Sequence, residues 1–225
     1  RLKGHTVYTV NYNVTVYSGA TLTIPAGAIL KFGPGYRMTI NSGAKLEVNG
    51  TRTAPVVFTS IKDDENGGDT NGDGDKTKPN GGDWTYVYVS GSATLNYCHA
   101  LYGAPSNETG ILEVSGGTLT VMNCLVAHSR YDGVWNWGGT IKAYNTVFTD
   151  CGNGVCPYRG STECDNCIMA FCNYGYMDWS HWYGGTFKNC IFYGNAVHTT
   201  FPATQTIDMT CHNPSPTASL TVSYT

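Results

Sequence analysis

Several groups of residues in this sequence have the types and spacing that binding or catalysis requires. Asp69, Asn71, Asp73 and Asp75, with Gly74 among them, place oxygen ligands at alternate positions around a glycine turn, as in the first half of an EF-hand calcium loop. The twelfth loop position, where an acidic residue completes such a site, is Asn80. Asp63, Asp64 or Asp83 would then have to supply the missing oxygens, since calcium takes about six to eight. A structural calcium ion is the expectation here, against the alternative of a solvated acidic loop.

A second group is aromatic. Gly133, Gly154 and Gly175 recur at one constant interval, and aligning on them puts Trp137, Tyr158 and Trp179 in one column and Trp135, Cys156 and Met177 in another. Rings on successive turns of a repeat present flat apolar faces with polar edges, suited to the C–H faces of an extended sugar chain. Tyr131, Asp132, Arg159, Asp178 and His181 would orient hydroxyls, and Trp182 and Tyr183 would add rings from "DWSHWYGG", which is longer than the corresponding "CPYRGS" stretch. The opposite orientation is also open: aligning Leu112 and Val114 with Trp135 and Trp137 turns the column into core. If the chain cleaves its ligand, Asp132, Asp178, Arg130 and Arg159 are the residues to carry it.

These residues are held by a repeat. "NCLV" at Asn123, "NTVF" at Asn145, "NCIM" at Asn166 and "NCIF" at Asn189 follow one another at nearly equal steps, and a threonine recurs at Thr94, Thr118, Thr140, Thr162 and Thr186. A period of roughly 20–25 residues, built from short β-prone runs and small turn residues, indicates a solenoid. Sustained 3.6-residue apolar spacing is absent, and 28 glycines oppose helix. Stacked turns pair their backbones about 4.8 Å apart, so the asparagines form a ladder at a corner. The next position reads Cys98, Cys124, Thr146, Cys167, Cys190 and Cys211, an inward column of small residues. Two earlier coils match at a single offset, Gly19, Leu22 and Ile24 recurring as Gly43, Leu46 and Val48. Alternation selects Val14, Val16, Leu22, Ile24, Met38, Ile40, Leu46, Val48, Val57 and Phe58 as core. Residues 61–83 interrupt the rhythm as an acidic insertion.

The stretches "SGATLTIPAGAILKF", "SGAKLEVNGT", "APVVFTS" and the later "NCIF" coils resemble the right-handed parallel β-helix, pectate-lyase-like superfamily over nearly the whole chain. The resemblance implies an all-β fold: a single right-handed parallel β-helix domain over residues 1–225, of roughly nine to ten coils. A β-helix lyase needs an Arg or Lys base beside a calcium-bridged uronate, and a glycosidase needs clustered carboxylates. The acidic cluster is remote in sequence from Arg130, Lys142, Arg159 and Lys188, and Asp132, Asp150, Asp165 and Asp178 fall on different turns. The aromatic excess instead resembles a β-helical carbohydrate-binding module of the kind appended to xylanases (carbohydrate-binding module family 89). That implies a non-catalytic module holding plant polysaccharide, xylan first, beside a covalently linked catalytic domain. Lyase or hydrolase activity, and a structural or adhesin stalk, are the alternatives.

Composition fits this reading. A net charge of −3 gives no basic footprint for nucleic acid, and no apolar run is long enough to span a membrane as a helix. Nine cysteines without two paired CxxC motifs point to an oxidising, extracellular setting. Cys151 and Cys172, separated by the same interval as the three glycines, are expected to be neighbours on adjacent coils and to form a disulfide, with Cys156–Cys164 as a second. The chain opens at Arg1 in mid-pattern, as expected of an excised or mature piece of a larger secreted protein.

Overall fold

A computed structural model describes residues 2–180, 185–200, 206–208 and 211–212. The chain winds into a parallel β-solenoid, with no helix among the described residues. Each turn has three sides. The first side is one nine-stranded sheet: Val7–Val10, Ile29–Phe32, Val56–Ser60, Cys98–Leu101, Leu125–Ala127, Val147–Thr149, Ile168–Ala170, Ile191–Tyr193 and Cys211–His212. Nine strands on one side enclose eight complete turns, slightly fewer than the nine to ten expected. The turns are unequal: Val56 pairs with Cys98, a far longer step than elsewhere, because the acidic insertion occupies that turn.

The second and third sides begin as separate short strands, such as Met38–Ile40 and Lys45–Asn49, and Gly110–Val114 and Thr118–Met122. They merge where Asp132–Tyr144 and Asn153–Asp165 run through both sides as single 13-residue strands. Alternation along the short strands sends Ile24, Met38, Ile40, Leu46, Val48 and Phe58 into the tube, all at most 1% exposed. Val14 and Leu22, in the first turn, are half-buried. Phe32 stacks on Trp84 with ring centroids 4.3 Å apart, and the Trp84 indole N–H donates to the Leu101 carbonyl at 2.7 Å. The ring thereby fills the tube without stranding its donor.

Val57 departs from the expected core. Its neighbours Val56 and Phe58 point inward, so Val57 faces out and packs with Leu101 and Ala127 in a small external cluster. The insertion folds back over this face. Gly67 lies against Val7 and Ile29, and buried Lys31 donates from Nζ to the Gly68 carbonyl at 2.5 Å. Burial lowers the Lys31 pKa, partly offset by Asp63, Asp64 and Asp69. The neck is tied by Lys62 to Asp83 at 2.8 Å and by Ser60 to Asp83 at 2.7 Å.

The corners account for the asparagines and most of the cysteines. Asn123, Asn145, Asn166 and Asn189 adopt φ of 49–55°, a left-handed conformation that costs most L-residues about 1–2 kcal/mol and asparagine less. The amides form part of a ladder, Asn123 Nδ2 donating to Asn96 Oδ1 at 2.9 Å and Asn189 Nδ2 to Asp165 Oδ1 at 3.0 Å. Immediately after each corner a thiol or hydroxyl donates to the carbonyl just before it: Cys124 to Met122, Thr146 to Tyr144, Cys167 to Asp165 and Cys190 to Lys188, at 2.9–3.4 Å. Cys151 and Cys172 repeat the arrangement at a second left-handed corner, donating to Thr149 and Ala170. Cys211 pairs in register with Ile191 rather than with Cys190.

The expected disulfides are absent. Cys151, Cys172, Cys156 and Cys164 are all buried free thiols, as are Cys98, Cys124, Cys167 and Cys190. Cys151 and Cys172 are neighbours as the spacing implies, but they meet through a thiol hydrogen bond. Cys164 shares its surroundings with Cys167 rather than bonding Cys156. Burial pushes the Cys98 and Cys124 thiols up, the latter to about 11, which suppresses the reactive thiolate. Thiol reagents should therefore label these eight cysteines only after denaturant is added, and dithiothreitol should leave the thermal midpoint unchanged. A midpoint that falls on reduction would contradict the free-thiol assignment.

Candidate functional site

The site is assembled by a local irregularity of the second side. Strand register pairs Asp132 with Asn153 and Val134 with Val155, passing over Gly133 and Gly154. A Cβ at Gly133 would lie 2.6 Å from the Gly154 carbonyl oxygen and would point toward Val126 and Cys151 in the interior. Gly133 and the core residue Val134 therefore both face inward. Their flanking residues Asp132 and Trp135 are left side by side on the outer face, as at a β-bulge.

The register also settles the orientation of the aromatics. Leu112 pairs with Val134, Glu113 with Trp135 and Val114 with Asn136. The alignment that made the aromatic column core is thus displaced by one residue, and one residue of slip exchanges the two faces. Trp135 stands in an outward row with Tyr88, Glu113 and Cys156. It is nonetheless only 2% exposed, because other rings gather around it.

Those rings form a cluster rather than a straight row. Trp137 and Tyr158 stack at 4.5 Å with an 8° interplanar angle, and Trp135 lies 6.2–6.4 Å from Trp137, Tyr158 and Trp179. Register shifts on both sides of Trp137 pair it with Arg159 instead of Tyr158. Trp137 and Trp179 remain 45% and 38% exposed. Arg159 extends its guanidinium over Tyr158, 5.4 Å from the ring centroid. His181, Trp182 and Tyr183 lie outside the described residues.

Carboxyls border this platform. Asp132 is 2% exposed and accepts from Asn153 Nδ2 at 2.5 Å. Burial raises its pKa to about 8, with the Asn153 bond opposing and Glu113 adding to the rise. Glu113, also raised by burial to about 7 and pulled the other way by Arg37, has an Oε2 with no hydrogen-bond partner. Asp178 is fully buried and accepts from the Ser180 amide and hydroxyl at 3.1 and 3.0 Å. Both Asp132 and Asp178 act on the buried Cys156 thiol, which places the two carboxyls about one patch. A carboxyl that keeps its proton near neutrality can donate to a hydroxyl or glycosidic oxygen.

The structure thus brings Trp135, Trp137, Tyr158, Trp179, Asp132, Arg159 and Asp178 together. Tyr131 is half-buried against the core, and Arg130 lies over it, 5.9 Å from its ring centroid, at the corner between the first and second sides. Glu113 was not anticipated from sequence; aligning Val114 with Asn136, its partner in the sheet, rather than with Trp137 would have found it.

In the insertion, Asp69 accepts from the amides of Gly72, Asp73 and Gly74 at 2.8–3.2 Å, closing the expected turn. The other proposed calcium ligands are dispersed. Asp63 accepts from Thr59, Asp83 from Ser60 and Lys62, and Asp75 pairs with Lys78. Asn71 donates to Asp73 at 2.8 Å. Asp64 Oδ1 and Asp73 Oδ1 are buried without partners, while no group of three or more His, Cys, Asp or Glu suited to a metal gathers among the described residues.

The raised carboxyls give stability a pH slope. Unfolded Glu113 and Asp132 ionise near pH 4, whereas in the folded chain they retain protons to about 7 and about 8. Between these limits the native state binds more protons, so stability falls as pH rises and levels off above pH 8. Denaturant midpoints measured from pH 4.5 to 8.5 should decline, and Glu113→Gln with Asp132→Asn should flatten the decline. An unchanged slope in the double variant would contradict the assignment.

Residues 1–116 match the family model described as pectate-lyase like beta helix domain. No curated protein matches the chain.

Proposed function

Because the chain belongs to the pectate-lyase-like β-helix family, we propose that it is a polysaccharide-binding module of a secreted protein, linked to a catalytic domain, with xylan as its plant cell-wall ligand. The observation that carries this reading is the half-exposed ring cluster of Trp137, Tyr158 and Trp179 laid over Trp135. Apolar rings held by their neighbours lose little further freedom on binding, and Asp132, Asp178 and Arg159 supply acceptors and a donor at their margin. Neither a nucleic acid nor a membrane is a partner in this reading; no helix of the described residues is long and apolar enough to span a bilayer.

A second reading, glycan cleavage, draws on the two raised carboxyls Glu113 and Asp132 on one outer face. One experiment separates the two. In affinity electrophoresis, xylan in the gel should retard the chain, and Trp137→Ala or Trp179→Ala should abolish most of the retardation with the circular dichroism spectrum unchanged. No new reducing ends or unsaturated products should accumulate. If products accumulate in the native chain and vanish in Glu113→Gln, the cleavage reading replaces the binding one. No retardation by any glycan would overturn both.

A structural calcium ion in the insertion belongs to the same proposal, supported by the partnerless oxygens of Asp64 and Asp73 and by the Asp69 turn. Calcium should raise the thermal midpoint relative to EGTA, and Asp73→Asn should remove the difference. A midpoint indifferent to both would rule the ion out.

A further inference from the structure

A second polar recess lies on the same turns as the ring cluster. It is an open pocket of about 590 Å³ whose walls come from four segments distant in sequence. Asn80 brings the end of the insertion, Tyr102, His128 and Asp150 form successive left-handed corners, and Arg130 closes the side toward the second sheet. The Tyr102 and His128 rings stack at 5.1 Å and 13°, and His128 Nδ1 stands 3.9 Å from Asp150 Oδ2. Arg130 is fixed in place: its side chain lies against Gly82, where a Cβ would come within 3.0 Å of it, and its guanidinium lies over Tyr131. Arg130, expected to act with Asp132, Asp178 and Arg159 if the chain cleaves its ligand, belongs instead to this corner.

The recess is connected to the platform by chain geometry. From Arg130 to Trp135 is five residues, about 17 Å of extended chain, and the outer-facing Asp132 and Asn153, joined by their hydrogen bond, lie between. A single extended sugar chain running along the second side would meet the corner recess, then these amide and carboxyl groups, then the rings.

We propose that this recess is a second subsite for the same glycan, binding an uncharged sugar unit through the Arg130 guanidinium, the Asp150 carboxylate and the Asn80 amide, with the Tyr102–His128 pair as its wall. The inference rests on the carbohydrate-binding reading and adds the charge class of the ligand. A guanidinium and a carboxylate on one recess offer donors and acceptors to adjacent hydroxyls while nearly cancelling in charge. A uronate there would face Asp150 directly and the acids of the insertion nearby; Asp63 and Glu65 are close enough to raise the pKa of the Tyr102 hydroxyl. The recess pair therefore offers an acidic glycan little net attraction, and the acids of the insertion repel it.

Calorimetric titration of the full chain with neutral xylo-oligosaccharides of increasing length, and with oligogalacturonides, tests this. Affinity should rise with length until both subsites are spanned, because the second contact is then intramolecular. Arg130→Ala and Asp150→Asn, the latter keeping a residue suited to the left-handed corner, should remove that gain, roughly tenfold for the longest chain, while leaving short chains bound as before. Trp137→Ala should weaken short and long chains alike. Long chains that bind both corner variants as tightly as the native protein would overturn the subsite with the platform reading intact. Oligogalacturonides binding more tightly than neutral chains would overturn the charge assignment. Absence of binding by every oligosaccharide would sink the carbohydrate reading itself, and the subsite with it.

Discussion

Backbone pairing along the solenoid axis is the constraint on which everything else in this molecule depends. Each strand is held by the strands of the turns before and after it, about 4.8 Å away, so a residue can change only in ways its stack tolerates. The corners show this most directly. Asn123, Asn145, Asn166 and Asn189 share one left-handed conformation, and the amides of Asn123, Asn145 and Asn189 bridge to polar side chains on the preceding turn. The small donor that follows each of them gives a second hydrogen bond to a carbonyl that already accepts the corner amide of the preceding turn. Thiols serve here because they are small and apolar enough for the interior yet still donate weakly. The abundance of cysteine is thus a consequence of corner geometry, and its message about redox compartment is correspondingly weaker than the count suggests.

The same constraint explains how a solenoid makes a site without any dedicated loop. Where successive turns carry glycine at 133, 154 and 175, there is no Cβ to collide with the carbonyl of the next turn. The strand can therefore set two consecutive residues inward, and Asp132 and Trp135 emerge together on the outer face. The insertion works by the opposite device. It lies over Val7, Ile29 and Lys31 on the outer face of the first side, and it ties its neck with Asp83 while Asp63 accepts from Thr59 within. Asp63 and Asp83, offered in sequence as calcium ligands, carry these structural duties, and Asp69 closes its own turn.

The repeat, the all-β class and the corner column could be read from sequence because they are periodic: a spacing of one coil length survives substitution at most individual positions. What escaped was whatever depends on a single residue of register. Aligning Leu112 with Trp135 instead of Val134 exchanged the two faces of the strand, hiding Glu113 and leaving the aromatic orientation open. The straight column of Trp137, Tyr158 and Trp179 was likewise a product of counting, since the register shifts flanking Trp137 turn a column into a cluster. Val57 was placed one residue out of phase: Val56 and Phe58 point inward, so Val57 faces out and is buried against Leu101 and Ala127 instead. Adjacent cysteines on neighbouring coils were foreseeable; that they remain thiols follows from the carbonyls they already serve.

The arrangement around Trp135 is difficult to explain by stability alone. An outward position on a solenoid is the cheapest place for a carboxyl, since water solvates it freely. Here Asp132 and Glu113 are withdrawn from water instead, one held by a single amide and the other with an oxygen left unpaired, which disfavours folding at every pH where the unfolded carboxyls ionise. Apolar residues at both positions would pack beneath the same rings without that cost. The two carboxyls stand beside the rings, Glu113 as the direct strand partner of Trp135. A sugar chain lying on the rings would complete the enclosure and provide hydroxyls to the unpaired oxygen, converting the destabilising feature of the free protein into a contact made only in the complex. Local sacrifice of stability at a site that a ligand can relieve is what physical reasoning expects of function, and in this chain it coincides with a place where aromatic faces remain open to solvent.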